Sequence, residues 1–189
     1  MQGKKQNFGK RMEINFKDHT EEYRKKLKIG QEYQDFITRD LMNHGICFTN
    51  YNSKKYQCKF GENSAGIEIK CDLKLEKTGN LYIETKEKSK AMNPYFVQSG
   101  IYRDDNTFIY IIGNYKKYWL FSKKTLIDLH KSERYKEVKI PTSQGYLLPI
   151  GDANDYCMKY HIPKESHESD LSENSPPSAN LKTSNLKNC

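Results

Sequence analysis

The chain has 189 residues, a formal net charge of +8 and a pI near 9.1. This length is enough for one domain with an apolar core, and the excess of lysine and arginine favours a polyanionic partner such as nucleic acid. The five cysteines form no CxxC pair or zinc-binding spacing, and no apolar run is long enough to span a bilayer. Together with the lack of a recognisable signal peptide, these features exclude a disulfide scaffold and predict a cytoplasmic protein with reduced thiols and no membrane partner.

Three segments differ in composition along the chain. Residues 1–12 are basic and poor in apolar side chains, which predicts a flexible arm. Residues 13–163 carry the periodic apolar pattern expected of a single domain. Residues 164–189 are rich in Ser, Asn, Lys and Glu and contain Pro176-Pro177, which predicts a disordered polar tail with almost nothing to bury.

The domain is predicted to begin with a helix that starts near Asp18 and ends at His44-Gly45. Its apolar residues recur at helical spacing: Tyr23, Leu27, Tyr33, Ile37 and Leu41. Two candidate strands follow at 46–51 and 55–60, with a polar turn between them. A helix followed by strands therefore opens the domain.

Residues 66–89 hold two runs in which apolar and charged side chains alternate, joined by Lys77-Thr78-Gly79. Period two predicts strands with one buried face, and a left-handed Gly79 predicts a hairpin between them. That hairpin would place Asp72 opposite Glu84 and Lys70 opposite Lys86, with all four side chains on one face of the hairpin. Because like charges directly opposite destabilise a hairpin, a divalent cation between the carboxylates is one interpretation. The alternative is a solvated face with weak diagonal ion pairs.

The rest of the domain is predicted as short elements with clear turn signals. These are a loop or short helix at 90–103, strands at 107–112 and 115–121, a helix at 123–131 capped by Ser122, strands at 135–140 and 146–150, and a short helix at 152–160. This order of helices and strands predicts an α/β fold with a mixed sheet.

Asp72 and the tripeptide Glu84-Thr85-Lys86 have the form D…ExK, and at this point the chain resembles the PD-(D/E)XK nuclease superfamily. The resemblance covers roughly residues 30–121 in element order. Cys71 stands where the family name has proline, and Pro94 and Gly100 interrupt the helix that usually follows the motif lysine. The resemblance implies a restriction-endonuclease-like core, in which a helix precedes a central antiparallel hairpin that bears the site and is flanked by helices.

The same resemblance implies roles for the motif residues. Asp72 and Glu84 would hold Mg²⁺, for which Mn²⁺ can substitute, together with the backbone carbonyl of Thr85, and Lys86 would position or help deprotonate the attacking water. A metal supplies a nucleophile at neutral pH, and a nearby lysine adds electrostatic stabilisation. Glu68 is a further candidate metal ligand. Candidate supporting residues are Glu32, Gln98 and Ser99, and candidate nucleic-acid contacts are Lys70, Lys88, Lys90 and Arg103.

The predicted function is a Mg²⁺-dependent endonuclease that hydrolyses phosphodiester bonds of DNA. The alternative is a non-catalytic nucleic-acid-binding protein on the same fold, and a third reading is a protein-interaction module. The five histidines show no nuclease spacing and the chain has no GxxxxGK loop, so histidine-metal chemistry and a nucleotide cofactor are not expected. Whether two chains pair as a homodimer is left open.

Overall fold

The computed structural model describes residues 21–51 and 53–163. The predicted basic arm, the start of the first helix and the polar tail lie outside these residues. The described residues form a mixed α/β fold, as the element order predicted, but with two four-stranded sheets in place of the single mixed sheet, and with five α-helices. The helices are α1 (Glu21–Asn43), α2 (Lys54–Phe60), α3 (Leu75–Thr78), α4 (Lys123–Lys131) and α5 (Ile150–Tyr156). The strands are β1 (Ile67–Cys71), β2 (Asn80–Glu87), β3 (Val97–Gln98), β4 (Ile109–Gly113), β5 (Tyr118–Ser122), β6 (Glu137–Ile140), β7 (Ser143–Pro149) and β8 (Lys159–His161).

The first sheet has the strand order β1-β4-β5-β8 and is covered on one face by α1. Strands β1 and β4 are parallel, and the other neighbours are antiparallel. Tyr33, Ile37 and Leu41 of α1 are buried against Ile69 and Ile111 of the sheet. The predicted apolar stripe is confirmed for these three helical residues, and its burial fixes α1 on the sheet.

The second sheet is antiparallel, with the order β3-β2-β7-β6. Its buried face shares an apolar core with the face of the first sheet that α1 does not cover. Leu81 and Ile83 of β2 meet Tyr110, Ile112 and Trp119 in this core, since alternate residues of each strand point inward. Helices α4 and α5 close the same core through Leu126, Leu129 and Ala153.

Elements with local signals follow the prediction. Strands β4 and β5 form the expected antiparallel hairpin. Ser122 begins α4, and its side chain accepts a hydrogen bond from the Thr125 amide, as predicted for a cap. Strand β6 also forms close to its predicted position, whereas α5 ends at Tyr156, and residues 159–160 of the predicted helix lie in strand β8 instead. Among the described residues, every helix is too short or too polar to cross a membrane.

The predicted strand at 55–60 is wrong, because these residues form helix α2. The run Lys-Lys-Tyr-Gln-Cys-Lys-Phe is too short for its period to separate strand from helix. Tyr56 and Phe60 lie one helical turn apart, with ring centroids separated by 5.4 Å. The residues at 46–51 form no strand, and only an isolated bridge joins Asn50 to Asn63 within the described chain.

The predicted hairpin at 66–89 is also wrong. Both predicted strands exist, but β1 pairs with β4 whereas β2 pairs with β7 and β3. Leu75 is fully buried, and the short helix α3 that carries it separates the two strands. Gly79 is left-handed as expected, with φ +66°, but it ends α3 and does not close a hairpin. Asp72 and Glu84 are therefore not paired across neighbouring strands.

Candidate active-site cleft

A cleft of about 830 Å³ lies between α1, the end of β1 and the solvent-side face of the second sheet. Leu27, Gln31 and Gln34 of α1 line the cleft. Tyr82 and Glu84 of β2 also line it, with Val138, Ile140 and Leu147 of the neighbouring strands. Lys70 and Asp72 belong to the same lining. The cleft thus collects charged side chains from two sheets that share no strand pairing.

Asp72 follows β1 directly, and its amide and both of its carboxylate oxygens form hydrogen bonds with backbone groups. Its amide donates to the Gly113 carbonyl at 2.7 Å, which prolongs the contact between β1 and β4. Its Oδ1 accepts from the Lys74 amide and its Oδ2 from the Tyr82 amide, each at 3.0 Å. The Tyr82 contact is the link that replaces the predicted hairpin, and it fixes the orientation of the carboxylate.

Glu84 is oriented by two serines that are distant from it in sequence. Ser99 Oγ donates to Oε1 at 2.9 Å, and Ser143 Oγ donates to Oε2 at 2.8 Å. Because Ser143 has one hydroxyl hydrogen and gives it to the carboxylate, the Tyr82 hydroxyl must donate to Ser143 Oγ, at 2.6 Å. Arg103 donates to Ser99 Oγ at 3.3 Å, so the network reaches a guanidinium.

Lys86 does not share the face of Glu84. Glu84 pairs with Gly145 of β7, whereas Lys86 pairs with Gln144, and β2 is irregular between them. Paired residues of an antiparallel ladder point to one face, and successive residues of β7 point to opposite faces. The bulge at Thr85 therefore places the side chains of Lys86 and Glu84 on opposite faces of the sheet. The prediction that they share one face is wrong. Lys86 is exposed and does not line the cleft.

The backbone carbonyl of Thr85, predicted as a metal ligand, accepts the Ser99 amide at 3.0 Å. The Thr85 side chain is buried, and its hydroxyl donates to the Gln144 carbonyl at 3.2 Å. The bulged residue thus serves contacts between strands, and its carbonyl already has a hydrogen-bond donor.

Glu68 is fully buried and forms an ion pair with Lys70, with 2.5 Å between Oε1 and Nζ. Burial alone would raise the pKa of Glu68, but the nearby charges of Lys70 and Arg103 hold it below its ordinary value. Burial lowers the pKa of Lys70, yet Glu68 and Glu62 together raise it above its ordinary value. Both groups are therefore charged at neutral pH. Glu68 does not line the cleft, whereas Lys70 does.

The other predicted residues are spread over the surface. Glu32 is exposed and pairs with Lys28 of its own helix at 3.6 Å. Gln98 is exposed on β3, where it pairs with Lys86. Lys88 donates to the Asn93 carbonyl at 2.9 Å, and Lys90 is exposed. None of these four predicted residues lines the cleft.

Four residues of the cleft network were not predicted from the sequence. Glu62 lines the cleft, and its side chain accepts a hydrogen bond from Gln34 Nε2 of α1 at 2.6 Å. The glutamate that lies in the cleft next to α1 is therefore Glu62, and the predicted Glu32 lies outside the cleft. Ser143 contacts Glu84 from β7. Tyr82 had a usable signal, because it alternates with Glu84 along one strand. Gln34, Glu62 and Ser143 carry no such local pattern.

No family model, curated protein or solved structure matches this chain. The predicted restriction-endonuclease-like core is therefore not confirmed.

The donors of the cleft suit a hydrated hard cation. Mg²⁺ prefers oxygen ligands and keeps several waters, so one or two carboxylates are enough to hold it. Each oxygen of Asp72 and Glu84 accepts one of the hydrogen bonds described above, and a carboxylate has about four acceptor sites, which leaves each side chain able to bind a further partner. Among the described residues, the one group of three Asp, Glu, His or Cys side chains with ligand atoms within 4.8 Å of one another lies elsewhere, at Asp40, His44 and His161.

Proposed function

We propose that the chain is a Mg²⁺-dependent endonuclease that hydrolyses DNA phosphodiester bonds in this cleft, on a restriction-endonuclease-like core. The observation that carries the proposal is that Asp72 and Glu84, which come from different sheets, line one cleft together with the cationic Lys70. The net charge of +8 supports a polyanionic substrate, and Lys26 and Lys74 also line the cleft.

In this proposal Asp72 and Glu84 would hold the cation, which when bound neutralises phosphate charge and lowers the pKa of a water. The backbone amides of Lys74 and Tyr82 keep the Asp72 carboxylate in a fixed orientation. Ser99 and Ser143 do the same for Glu84, so neither carboxylate has to reorganise when substrate binds.

We assign the cationic role of the ExK lysine to Lys70, because Lys86 lies on the other face of the sheet. The raised pKa of Lys70 keeps its ammonium protonated at neutral pH. Lys70 therefore acts as a fixed positive charge beside the scissile phosphate and not as a general base.

A cleavage panel tests the proposal, with linear, nicked, branched and single-stranded DNA in the presence of Mg²⁺, Mn²⁺ or a chelator. We expect metal-dependent cleavage that falls at least about a hundredfold in Asp72→Asn and in Glu84→Gln, the scale on which one electrostatic contact to the transition state acts. Glu32→Gln is the matched control, since Glu32 is an exposed acidic residue outside the cleft, and it should cleave like wild type. Equal cleavage by all four proteins would refute the assignment.

The two lysines are compared in the same assay. Lys70→Met is made in a Glu68→Gln background, so that the buried carboxylate is not left without its partner. We expect this double variant to cleave much more slowly than Glu68→Gln alone, and Lys86→Met to retain activity. The opposite result would show that Lys86 reaches the site and that the position of the bulge is misleading.

The second candidate is a protein that binds nucleic acid without cutting it. It is favoured by an exposed aromatic patch on α2, where Tyr56 and Phe60 lie 5.4 Å apart and Lys59 Nζ lies 4.7 Å from the Phe60 ring centroid. Exposed rings next to a cation can stack on unpaired bases. Salt-sensitive DNA binding without metal-dependent cleavage of any DNA form would favour this candidate.

A further inference from the structure

Asp40, His44 and His161 meet at the edge of the first sheet, away from the cleft. Asp40 lies in the last turn of α1, His44 follows the helix end, and His161 ends strand β8. One ligand atom from each side chain lies within 4.8 Å of the other two. Asp40 and His44 have the spacing of one helical turn, and the pairing of β8 with β5 brings His161 to them.

Hydrogen bonds orient two of these side chains. His44 Nδ1 lies 2.7 Å from the Asp40 backbone carbonyl, and because a carbonyl can only accept, Nδ1 carries the hydrogen. In the neutral ring this leaves a lone pair on Nε2, the tautomer in which a histidine binds a metal. The Tyr118 hydroxyl donates to Asp40 Oδ2 at 2.5 Å. Such outer contacts hold metal-binding side chains in place.

The position of His161 is the observation that points to a cation. Its Nε2 is buried and lies 3.2 Å from Asp40 Oδ2, yet this nitrogen makes no hydrogen bond. Two ligands that are each about 2.05 Å from a tetrahedral Zn²⁺ lie about 3.3 Å apart. The spacing of this pair is therefore that of two ligands on one ion.

We propose that Asp40, His44 and His161 bind a divalent transition metal of the Zn²⁺ type, with water in the fourth position. Two imidazoles and one carboxylate suit such an ion and not Mg²⁺, which prefers oxygen ligands. The bound ion joins the C-terminal end of α1 to the edge strand β8. The site is separate from the cleft, and its presence does not depend on nuclease activity.

The test uses the full chain after removal of metal by a chelator. Co²⁺ is titrated as a probe, because a tetrahedral Co²⁺ site absorbs visible light, and Zn²⁺ is then used to displace it. We expect one Co²⁺ per chain, displacement by Zn²⁺ and not by excess Mg²⁺, and a higher melting temperature in Zn²⁺. His44→Gln and Asp40→Asn should weaken binding at least about tenfold.

His130→Gln is the matched control. His130 Nε2 lies 3.0 Å from Glu137 Oε1, so it is also a histidine beside a carboxylate, but without a third ligand. It should leave the Co²⁺ spectrum unchanged. His44 is exposed, so His44→Gln should fold normally, and circular dichroism of the metal-free protein checks this. The proposal is overturned by the absence of a tetrahedral spectrum, by equal affinity in His44→Gln and wild type, or by a thiolate charge-transfer band that assigns the ion to a cysteine.

Discussion

The ion pair beneath the cleft gives a prediction about stability. Glu68 has no exposed surface and has Lys70 Nζ at 2.5 Å, so Lys70→Met leaves a buried carboxylate without its partner. Removing one member of a buried pair costs about 3–5 kcal/mol. Lys70 is 39% exposed and the charge of Arg103 also acts on Glu68, so we expect a smaller loss, about 2–3 kcal/mol. In a protein of this size that lowers the melting temperature by about 4–12 °C.

The loss should depend on pH. In wild type the pKa of Glu68 lies below its ordinary value, so the stability that Glu68 contributes is present above its unfolded pKa and is lost as the pH falls through its folded pKa. In Lys70→Met, burial of Glu68 is no longer opposed by the lysine, and its pKa rises. The deficit of the variant is then largest near neutral pH and shrinks as Glu68 takes up a proton.

Urea denaturation at about pH 7 and about pH 5 measures both effects, with the fluorescence of Trp119, the one tryptophan of the chain, as the signal. Lys70→Met combined with Glu68→Gln should regain most of the loss, since the buried carboxylate that lost its partner is then absent. Glu68→Gln alone should cost little, because Lys70 can reach water. The reasoning is refuted if Lys70→Met is as stable as wild type, or if its deficit is the same at both pH values and persists in the double variant.

Two further substitutions test how Glu84 is positioned. Gly100 has φ +51°, and an added Cβ would lie 2.2 Å from the Glu84 carbonyl oxygen, so Gly100→Ala should destabilise the protein by about 1–3 kcal/mol. Gly151→Ala is the control, because an added Cβ there has no neighbouring atom within 4 Å, and it should leave stability unchanged. Equal melting temperatures of the two variants would contradict this prediction. Ser143→Ala removes the hydrogen-bond donor to Glu84 and the acceptor for Tyr82, so it should lower the free energy of unfolding in urea by about 1–3 kcal/mol. Ser89 is exposed, and Ser89→Ala should leave stability unchanged. An equally stable Ser143→Ala would show that water replaces the hydroxyl.

The elements that the sequence predicts well are those whose signals are local. The stripe of Tyr33, Ile37 and Leu41 defines α1, and the cap at Ser122 defines the start of α4. Strands β1 and β2 were predicted from alternation, but alternation does not say which strand pairs with which. The buried Leu75 turns the chain into α3, and β2 then pairs with β7 far along the sequence. That choice depends on the whole core and not on the loop.

The candidate site divides in the same way. Asp72 and Glu84 were selected by residue type and spacing, and both line the cleft. Ser99 was among the candidate supporting residues and contacts Glu84, whereas Ser143 and the pair Gln34 and Glu62 could not be selected, because their contacts join segments distant in sequence. The metal-like group at Asp40, His44 and His161 was missed for the same reason, although the helical spacing of Asp40 and His44 was visible.

The bulge at Thr85 determines which charged side chains of β2 lie on the cleft side of the sheet. In a regular strand, alternate residues point to the same face, so without the bulge Lys86 would lie on the same face as Glu84. The carboxylate and the ammonium of the ExK tripeptide would then both line the cleft. With the bulge, Thr85 uses its carbonyl and hydroxyl for contacts with Ser99 and Gln144, and Lys86 points away. Among the lysines that line the cleft, Lys70 of β1 is the one that pairs with the buried Glu68. If the cleft is the proposed active site, changes at Lys70 should therefore lower cleavage and stability together, whereas changes at Lys86 should leave cleavage unchanged.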